Sequence, residues 1–375
     1  METICFFEDD TCSHLQPLTL TRPVDDLRCG ILTIREKWMN DLTINSFTRD
    51  IRDHRNNFFK TEIPDDTHSH LWINSRIFPD QHLCSNILFL NPGESLVWNK
   101  QIVAAKVSAE THKEWIKNKP SFDSLKQLNL NRKPVMISYL WDLLSLNSNE
   151  IMNDVNRLPD LKPLSQSNSF TINGDYPVLA GDNIKIEPGV VLIAGEGPII
   201  IQDEAIIMAN TVIRGPVAIC SGSIVKTGAK IYEATTVGPV CKVGGEVTHS
   251  IFHSYANKAH EGFAGHSIFG QWTNIGADTN TSNMKNNYSK ISVMDYNSGK
   301  KIDTDLQFLG TILGDHSKTA INTMLNTGTV CGVSSNLFPS GFPPKYITSF
   351  KWIGDNLEVK YRFDKAVETM KIMMG

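Results

Sequence analysis

From Ile201 to Val243 an aliphatic residue recurs every six positions: Ile201, Ile207, Ile213, Ile219, Val225, Ile231, Val237 and Val243. Four places after each stands a second register of mostly small residues: Ala205, Thr211, Val217, Ser223, Ala229, Thr235, Cys241 and Val247. A helix repeats every ~3.6 residues and a half-buried strand about every two, so neither produces this spacing. A period of six marks a parallel β-helix, in which each hexapeptide supplies one short strand and one corner. The branched aliphatics then point inward and stack on their equivalents in neighbouring coils, and the small residues fit the corners.

The repeat starts weakly at Ala180, Ile186 and Leu192 and becomes strict at Ile201 after a three-residue insertion. Beyond Val243 the register slips by two, predicting inward positions at Ile251, Asn257, Phe263, Phe269 and Ile275. A departure rich in Asn, Lys and Ser runs from about Thr281 to Thr311, and hexads return at Leu313, Thr319, Leu325, Cys331 and Leu337. Roughly 20 hexads, at three per turn, make about seven coils. Solenoids need capped ends because an open end exposes core and unpaired strand edges. A terminal helix, predicted over Phe363–Met373, can serve one end or the side.

Residues 1–165 have a mixed α/β texture. The pattern predicts strands over Thr3–Phe7, Leu71–Ile77 and Ile87–Leu90, and strand-like alternation over Glu94–Ser108. It predicts helices over Leu27–Met39, Glu110–Leu128 and Tyr139–Val155, and a linker over Pro159–Asn173. The expected organisation is an α/β domain over 1–165, a β-helix over 175–345 and an extension over 346–375.

Composition narrows the function little. A hydrophobic fraction of 41%, 20% charged residues and a formal charge of -4 give no electrostatic footprint for nucleic acid or an anionic membrane. The seven cysteines are scattered, without a CxxC pair, which argues against a disulfide framework and a zinc site. METICFFEDD carries acids where a signal peptide carries bases, and no 18-residue apolar run exists, so the expectation is cytoplasmic.

Departures from the repeat are where chemistry can sit. In Asn257-Lys258-Ala259-His260-Glu261-Gly262 an asparagine stands at an expected inward position and a histidine on the outward side. Fifteen residues after His260 comes Ile275-Gly276-Ala277-Asp278-Thr279-Asn280, then an irregular loop with Asn283, Lys285, Asn286, Asn287 and Tyr288. A histidine titrates near pH 6.5 and suits accepting a proton from an amine or hydroxyl. A lone histidine is more often solvated or structural, so the surrounding breakdown of the repeat is what singles this one out.

These motifs resemble the left-handed β-helix acyltransferases, above all the acetyltransferase half of bifunctional N-acetylglucosamine-1-phosphate uridyltransferases. That family carries Lys-x-x-His-Leu-x-Tyr-x-Gly-Asp, then Ile-Gly-Ala-Gly-Thr, then Asn-Tyr; the spacing from His260 to Ile275 fits without a gap. The resemblance implies that His260 is a general base that deprotonates a sugar amine attacking an acetyl thioester. It places Lys226 where the family holds a sugar phosphate with arginine, and Lys258, Asn283, Asn287 and Tyr288 on substrate. Ala277 and Asp315 match positions lining the acyl-CoA site between subunits, which implies a homotrimer. Phe263 and His266 replace a tyrosine and an aspartate. Left-handed coils are an exception to the usual crossover preference, and the resemblance implies that exception here.

The N-terminal half is similar to a divergent nucleotidyltransferase-like group from Bacteroidetes, through Leu15-Gln16-Pro17-Leu18-Thr19-Leu20-Thr21-Arg22-Pro23 and Arg28-Cys29-Gly30-Ile31-Leu32-Thr33-Ile34-Arg35-Glu36-Lys37-Trp38. The glycine-rich phosphate loop of sugar nucleotidyltransferases is absent: Phe7-Glu8-Asp9-Asp10-Thr11-Cys12-Ser13-His14-Leu15 has no glycine and three acids. Glycines let backbone amides approach phosphate. Arg22, Arg28, Arg35 and Lys37 could bind phosphate instead, or be solvated or paired with Glu8, Asp9, Asp25 and Asp26. Asn74 and Asp142 are the candidates for a magnesium site, asparagine being a neutral and weaker ligand for a hard cation, and an N-cap or surface role is the equal alternative for Asp142. Asn173-Gly174-Asp175 reads as a turn.

The resemblance thus implies acetyl transfer from acetyl-CoA to glucosamine-1-phosphate. It also implies Mg²⁺-assisted uridylyl transfer from UTP to the product, giving UDP-N-acetylglucosamine. The rivals are an acyltransferase acting alone on another amino-sugar or sugar nucleotide, and a non-catalytic solenoid that binds a nucleotide-sugar or a partner protein.

Overall fold

Each half of the chain builds its own core. The computed structural model describes residues 2–51, 53–59 and 69–375. The chain divides into two compact units, one of Met1–Leu15, Thr21–Leu27 and Leu32–Ser138, the other of Gln16–Leu20, Arg28–Ile31 and Tyr139–Gly375.

The first unit holds a sheet of β1 (Glu2–Phe7), β2 (Phe47–Asp50), β3 (Ser69–Asn74), β4 (Glu94–Trp98), β5 (Gln101–Ser108) and β6 (Lys126–Asn129) in the order β2-β1-β3-β5-β4-β6. β1 runs parallel to β2 and β3, and β5 antiparallel to β3 and β4. β1 and β3 are buried almost throughout because strands in the middle of the sheet are covered on both faces. Trp72 of β3 meets Trp115 edge-on at 5.2 Å and Phe122 at 6.0 Å.

Local chemistry corrects three predicted elements here. The first helix, α1 (Ile34–Leu42), starts later than Leu27 because Thr33 and Glu36 form a capping box, with Thr33 N donating to Glu36 Oε2 at 2.7 Å. The predicted strand at Ile87–Leu90 instead begins as the last two residues of α2 (Gln81–Leu88), whose N-cap Asp80 accepts from Leu83 N at 2.8 Å. Leu83, Cys84 and Ile87 supply its buried face. The helix predicted to Leu128 is α3 (Ala109–Lys117), which ends before Pro120; β6 then pairs with β4.

The second unit is a parallel β-helix with three faces, A, B and C, in chain order. Ala180, Ile201, Ile219, Val237, Phe252, Phe269, Leu313, Cys331 and Ile347 form one inward column along face A. Ile186, Ile207, Val225, Val243 and Lys258 form the column of face B. Leu192, Ile213, Ile231, Val247 and Ala264 form that of face C. Face A carries ten strands, from Lys162–Pro163 to Tyr346–Ile347, so the solenoid is longer than seven coils. Burial of each such Ile or Val contributes about 1.5–3 kcal/mol.

Two expectations about the repeat are corrected. The corners after Val243 and Val247 are shortened, so the inward residues are Phe252, Lys258 and Ala264 rather than Ile251, Asn257 and Phe263. The expected linker already belongs to the coil: Lys162–Pro163 pairs antiparallel with Val178–Ala180, and Phe170–Asn173 pairs parallel with Val190–Ile193. The departure after Thr281 contains a hairpin of Ser292–Met294 and Lys301–Asp303. The chain closes with α5 (Phe363–Met374) after a hairpin of Lys351–Gly354 and Leu357–Lys360.

The outward residues of face A are also apolar and buried, among them Ile200, Ala218, Ile251 and Ile268. Between Tyr139 and Val155 lies α4 (Leu140–Asp154), which lies over the strands Val217–Ile219 and Thr235–Val237. Its Asn147 accepts from Gly30 N at 2.7 Å and donates to Ala234 O at 2.8 Å, while Thr236 Oγ1 donates to Gly30 O at 2.9 Å. Gly30 has φ +74, and a Cβ there would lie 2.6 Å from the Glu150 carbonyl carbon. Only glycine fits so close to the helix backbone.

Candidate functional site

His260 lies at the corner between faces B and C. Asn257 pairs with Asn274, and Asp278 N donates to Glu261 O at 3.0 Å, so one register runs through the corner and stacks His260 on Ala277. Lys226 follows Val225 at the same corner two coils earlier, roughly 10 Å away along the axis at one strand spacing per coil. The solenoid thus brings Lys226, His260 and Ala277 to one edge. His260 is exposed and Lys226 half-buried, and neither side chain bonds any described residue. A cation and an imidazole with free donor and acceptor atoms can hold an anionic group and accept a proton beside it.

This corner is shaped from within by Lys258. Expected on substrate, Lys258 instead occupies an inward position and is 1% exposed. Its ammonium donates to Gly244 O at 2.9 Å and His260 O at 3.0 Å, tying the two coils that flank the turn. Burial pushes its pKa down to about 8, against the pull of Glu261 and Asp278. Gly245, at φ +73, keeps room for it: a Cβ there would sit 2.7 Å from Gly262 O and 3.0 Å from Lys258 Nζ.

The other expected contacts lie elsewhere on the solenoid. Asn283 sits at the corner between faces C and A, its amide 3.0 Å from His266 Nδ1. The His266 ring stacks on His249 at 4.5 Å and on Phe308 at 5.2 Å, and burial, with His249 beside it, lowers its pKa to about 4. Asn287 accepts from Ser289 within the excursion, where Tyr288 is exposed. Asp315 is buried at the third corner, between faces A and B, and accepts from Gln271 N at 2.8 Å. Asp315 and Ala277 therefore occupy different edges of one chain. Phe263 is half-buried at the start of its face-C strand.

In the first unit Glu8, Asp9, Asp25 and Asp26 are matched by arginines. Asp25 and Asp26 take Arg49 at 2.7 and 2.9 Å, and Asp26 takes Arg35 at 2.9 Å. Glu8 is bound by Arg55, and Asp9 by Arg76 at 2.6 Å. Arg35 thus follows the paired alternative. Arg22 and Lys37 are buried in this unit. Arg28 belongs to the second unit, where it is buried and donates to Ile31 O. Arg49, Arg55 and Arg76 escaped the sequence reading because only the sheet brings them to acids far away in the chain.

The proposed magnesium ligands do not fit that role. Asn74 Oδ1 accepts from Arg76 N at 3.1 Å, and its Nδ2 donates to Asp9 Oδ2 at 2.8 Å. Asp142, in the second unit, caps α4 by accepting from Tyr139 N at 2.9 Å. Among the described residues no group of three or more His, Cys, Asp or Glu is placed to hold a metal ion. No described helix is long and apolar enough to cross a membrane.

Residues 4–161 match a family model described as sugar nucleotidyl transferase. A bifunctional sugar-1-phosphate nucleotidylyltransferase/acetyltransferase from Sulfurisphaera tokodaii is 28% identical over 160 residues, 42% of this chain and 37% of that protein. The chain thus spans well under half the length of the curated relative it matches. A solved UDP-N-acetylglucosamine acyltransferase is 15% identical, covering 57% of this chain and 79% of its own, with a TM-score of 0.22. A mutant of AntD, an N-acyltransferase from Bacillus cereus in complex with dTDP and Coenzyme A, is 14% identical, covering 54% and 92%, with a TM-score of 0.22.

Proposed function

We propose that this chain is a transferase of amino-sugar phosphates whose solenoid moves an acetyl group from acetyl-CoA to the amine of glucosamine-1-phosphate. The observation that carries the reading is the edge shared by Lys226, His260 and Ala277, with neither polar side chain bonded to any of the described residues. His260 accepts a proton from the amine as it attacks the thioester carbonyl; the amide bond forms and the thiol of coenzyme A leaves. Lys226 attracts the sugar phosphate as a point charge, without an arginine's bidentate grip. Lys258 holds the His260 carbonyl and so positions the corner. A homotrimer completes the acyl-CoA site, since Asp315 and Ala277 stand on different edges of one chain.

The relative's name, a bifunctional sugar-1-phosphate nucleotidylyltransferase/acetyltransferase, supports both halves of this reading. The family match over residues 4–161 favours a second activity, uridylyl transfer from UTP in the first unit. The charge balance there opposes it, because Arg35, Arg49, Arg55 and Arg76 are each already paired with an acid.

The test is thiol release from acetyl-CoA on addition of glucosamine-1-phosphate. His260→Ala is expected to lower kcat by about 10²–10⁴ with the fold intact. An unchanged rate would make His260 structural and end this mechanism. Pyrophosphate release from UTP and N-acetylglucosamine-1-phosphate tests the second activity separately.

A further inference from the structure

The turn after β1 carries more than an ion pair. β1 has β2 on one side and β3 on the other, both parallel to it, so the sheet order reverses between β1 and β3. In open α/β sheets ligands bind outside the carboxyl ends of the strands at such a reversal. Asp9 follows β1 there, and Asn74 and Arg76 stand at the end of β3.

The donors at that point converge on one carboxylate. Arg76 donates through Nε to Asp9 Oδ1 at 2.8 Å and through Nη2 to Oδ2 at 2.6 Å. Asn74 Nδ2 adds a bond to Oδ2 at 2.8 Å, and Thr11 N one to Oδ1 at 3.1 Å. Arg76 is fully buried and aimed by a further bond from Nη1 to Ile137 O at 2.6 Å, whereas the Asp9 side chain keeps 27% exposure. A fixed guanidinium fork, a carboxamide and a backbone amide facing a solvent-accessible position are what binds phosphate as readily as carboxylate. Burial works against the charge on Asp9, yet the Arg76 bonds hold its carboxyl below the ordinary range.

We propose that Arg76, Asn74 and the Thr11 amide form a phosphate site that the chain fills with its own Asp9 carboxylate, closing it to nucleotide phosphates. The missing glycine loop then has a stated consequence: the turn after β1 does not wrap a triphosphate but supplies an anion in its place. A phosphate group enters only by displacing Asp9. This holds whether or not the solenoid transfers acetyl groups, so failure of the acetyl-transfer reading leaves it standing.

The test is calorimetric titration of the full-length protein with UTP and with uridine. In the natural protein the triphosphate is expected to improve affinity over uridine less than tenfold. Asp9→Asn keeps the shape and removes the charge; it is expected to tighten UTP binding at least tenfold while leaving uridine unchanged. Adding Arg76→Gln to that variant is expected to abolish the gain. A tenfold or larger phosphate contribution in the natural protein would overturn the proposal, as would an Asp9→Asn variant of unaltered near-UV circular dichroism that binds UTP no better. Should the variant misfold, the comparison of UTP with uridine in the natural protein decides alone.

Discussion

The opening turn of the first unit and the B–C corner of the solenoid are both rich in charge, and they use it in opposite ways. Glu8, Asp9, Asp25 and Asp26 are matched to Arg35, Arg49, Arg55 and Arg76, largely out of water. At the B–C corner Lys226 and His260 bond no described residue, and the one buried cation, Lys258, is satisfied by backbone carbonyls. Charges that are matched internally hold a fold together. Charges left without internal partners are available to a substrate.

That contrast can be broken most forcefully at Arg55. Arg55→Ala leaves Glu8, whose carboxyl is raised mainly by burial, without its cation. Breaking a buried pair in this way costs about 3–5 kcal/mol. Denaturant unfolding should show that loss in the first unit while acetyl transfer at permissive temperature is unchanged. A stability change below about 1 kcal/mol would place this pair with ordinary surface ion pairs. Next comes Lys226→Ala, expected to raise KM for glucosamine-1-phosphate about tenfold, near 1.4 kcal/mol of lost charge attraction, with kcat and stability little changed. A fall in kcat at constant KM would move Lys226 from binding to chemistry.

Lys258 sharpens the comparison because it is a structural cation at the corner proposed for acetyl transfer. Its folded pKa, about 8, lies below its ordinary 10.5, so between those values the unfolded chain binds more protons. Its contribution to stability therefore improves as pH rises from about 8 to 10.5. Lys258→Met should flatten that slope, retain stability at pH 7 and slow acetyl transfer several-fold by freeing the His260 carbonyl. An unaltered slope would mean that the ammonium reaches solvent.

The smallest effect concerns two histidines buried in the first unit. His70 and His112 stack at 3.6 Å, and burial lowers their pKa values to about 3 and about 4. Both are neutral in the folded state, so the unfolded chain takes up protons first and stability falls as pH drops below 6.5. His70→Phe should reduce the loss between pH 7 and pH 5, read from urea midpoints, and leave the Trp72 Nε1 bond to His112 intact. An identical pH dependence would mean that other groups carry it.

Periodicity alone determined the solenoid, because a parallel β-helix must present an inward side chain at each rung. Every aliphatic from Ile201 to Val243 in the six-residue register is buried. The breakdown around His260 was legible too, since a departure from a strict repeat is visible without knowing its geometry. The inward identity of Lys258 was not, because two shortened corners shift the register without leaving a mark in hydrophobicity. Nor were the pairs of Glu8 with Arg55 and Asp9 with Arg76, whose partners lie 47 and 67 residues apart. Hydrophobic pattern reports the chain's own backbone period. Which charges meet, and which are left open to a substrate, depends on distances that only the packed sheet and the stacked coils set.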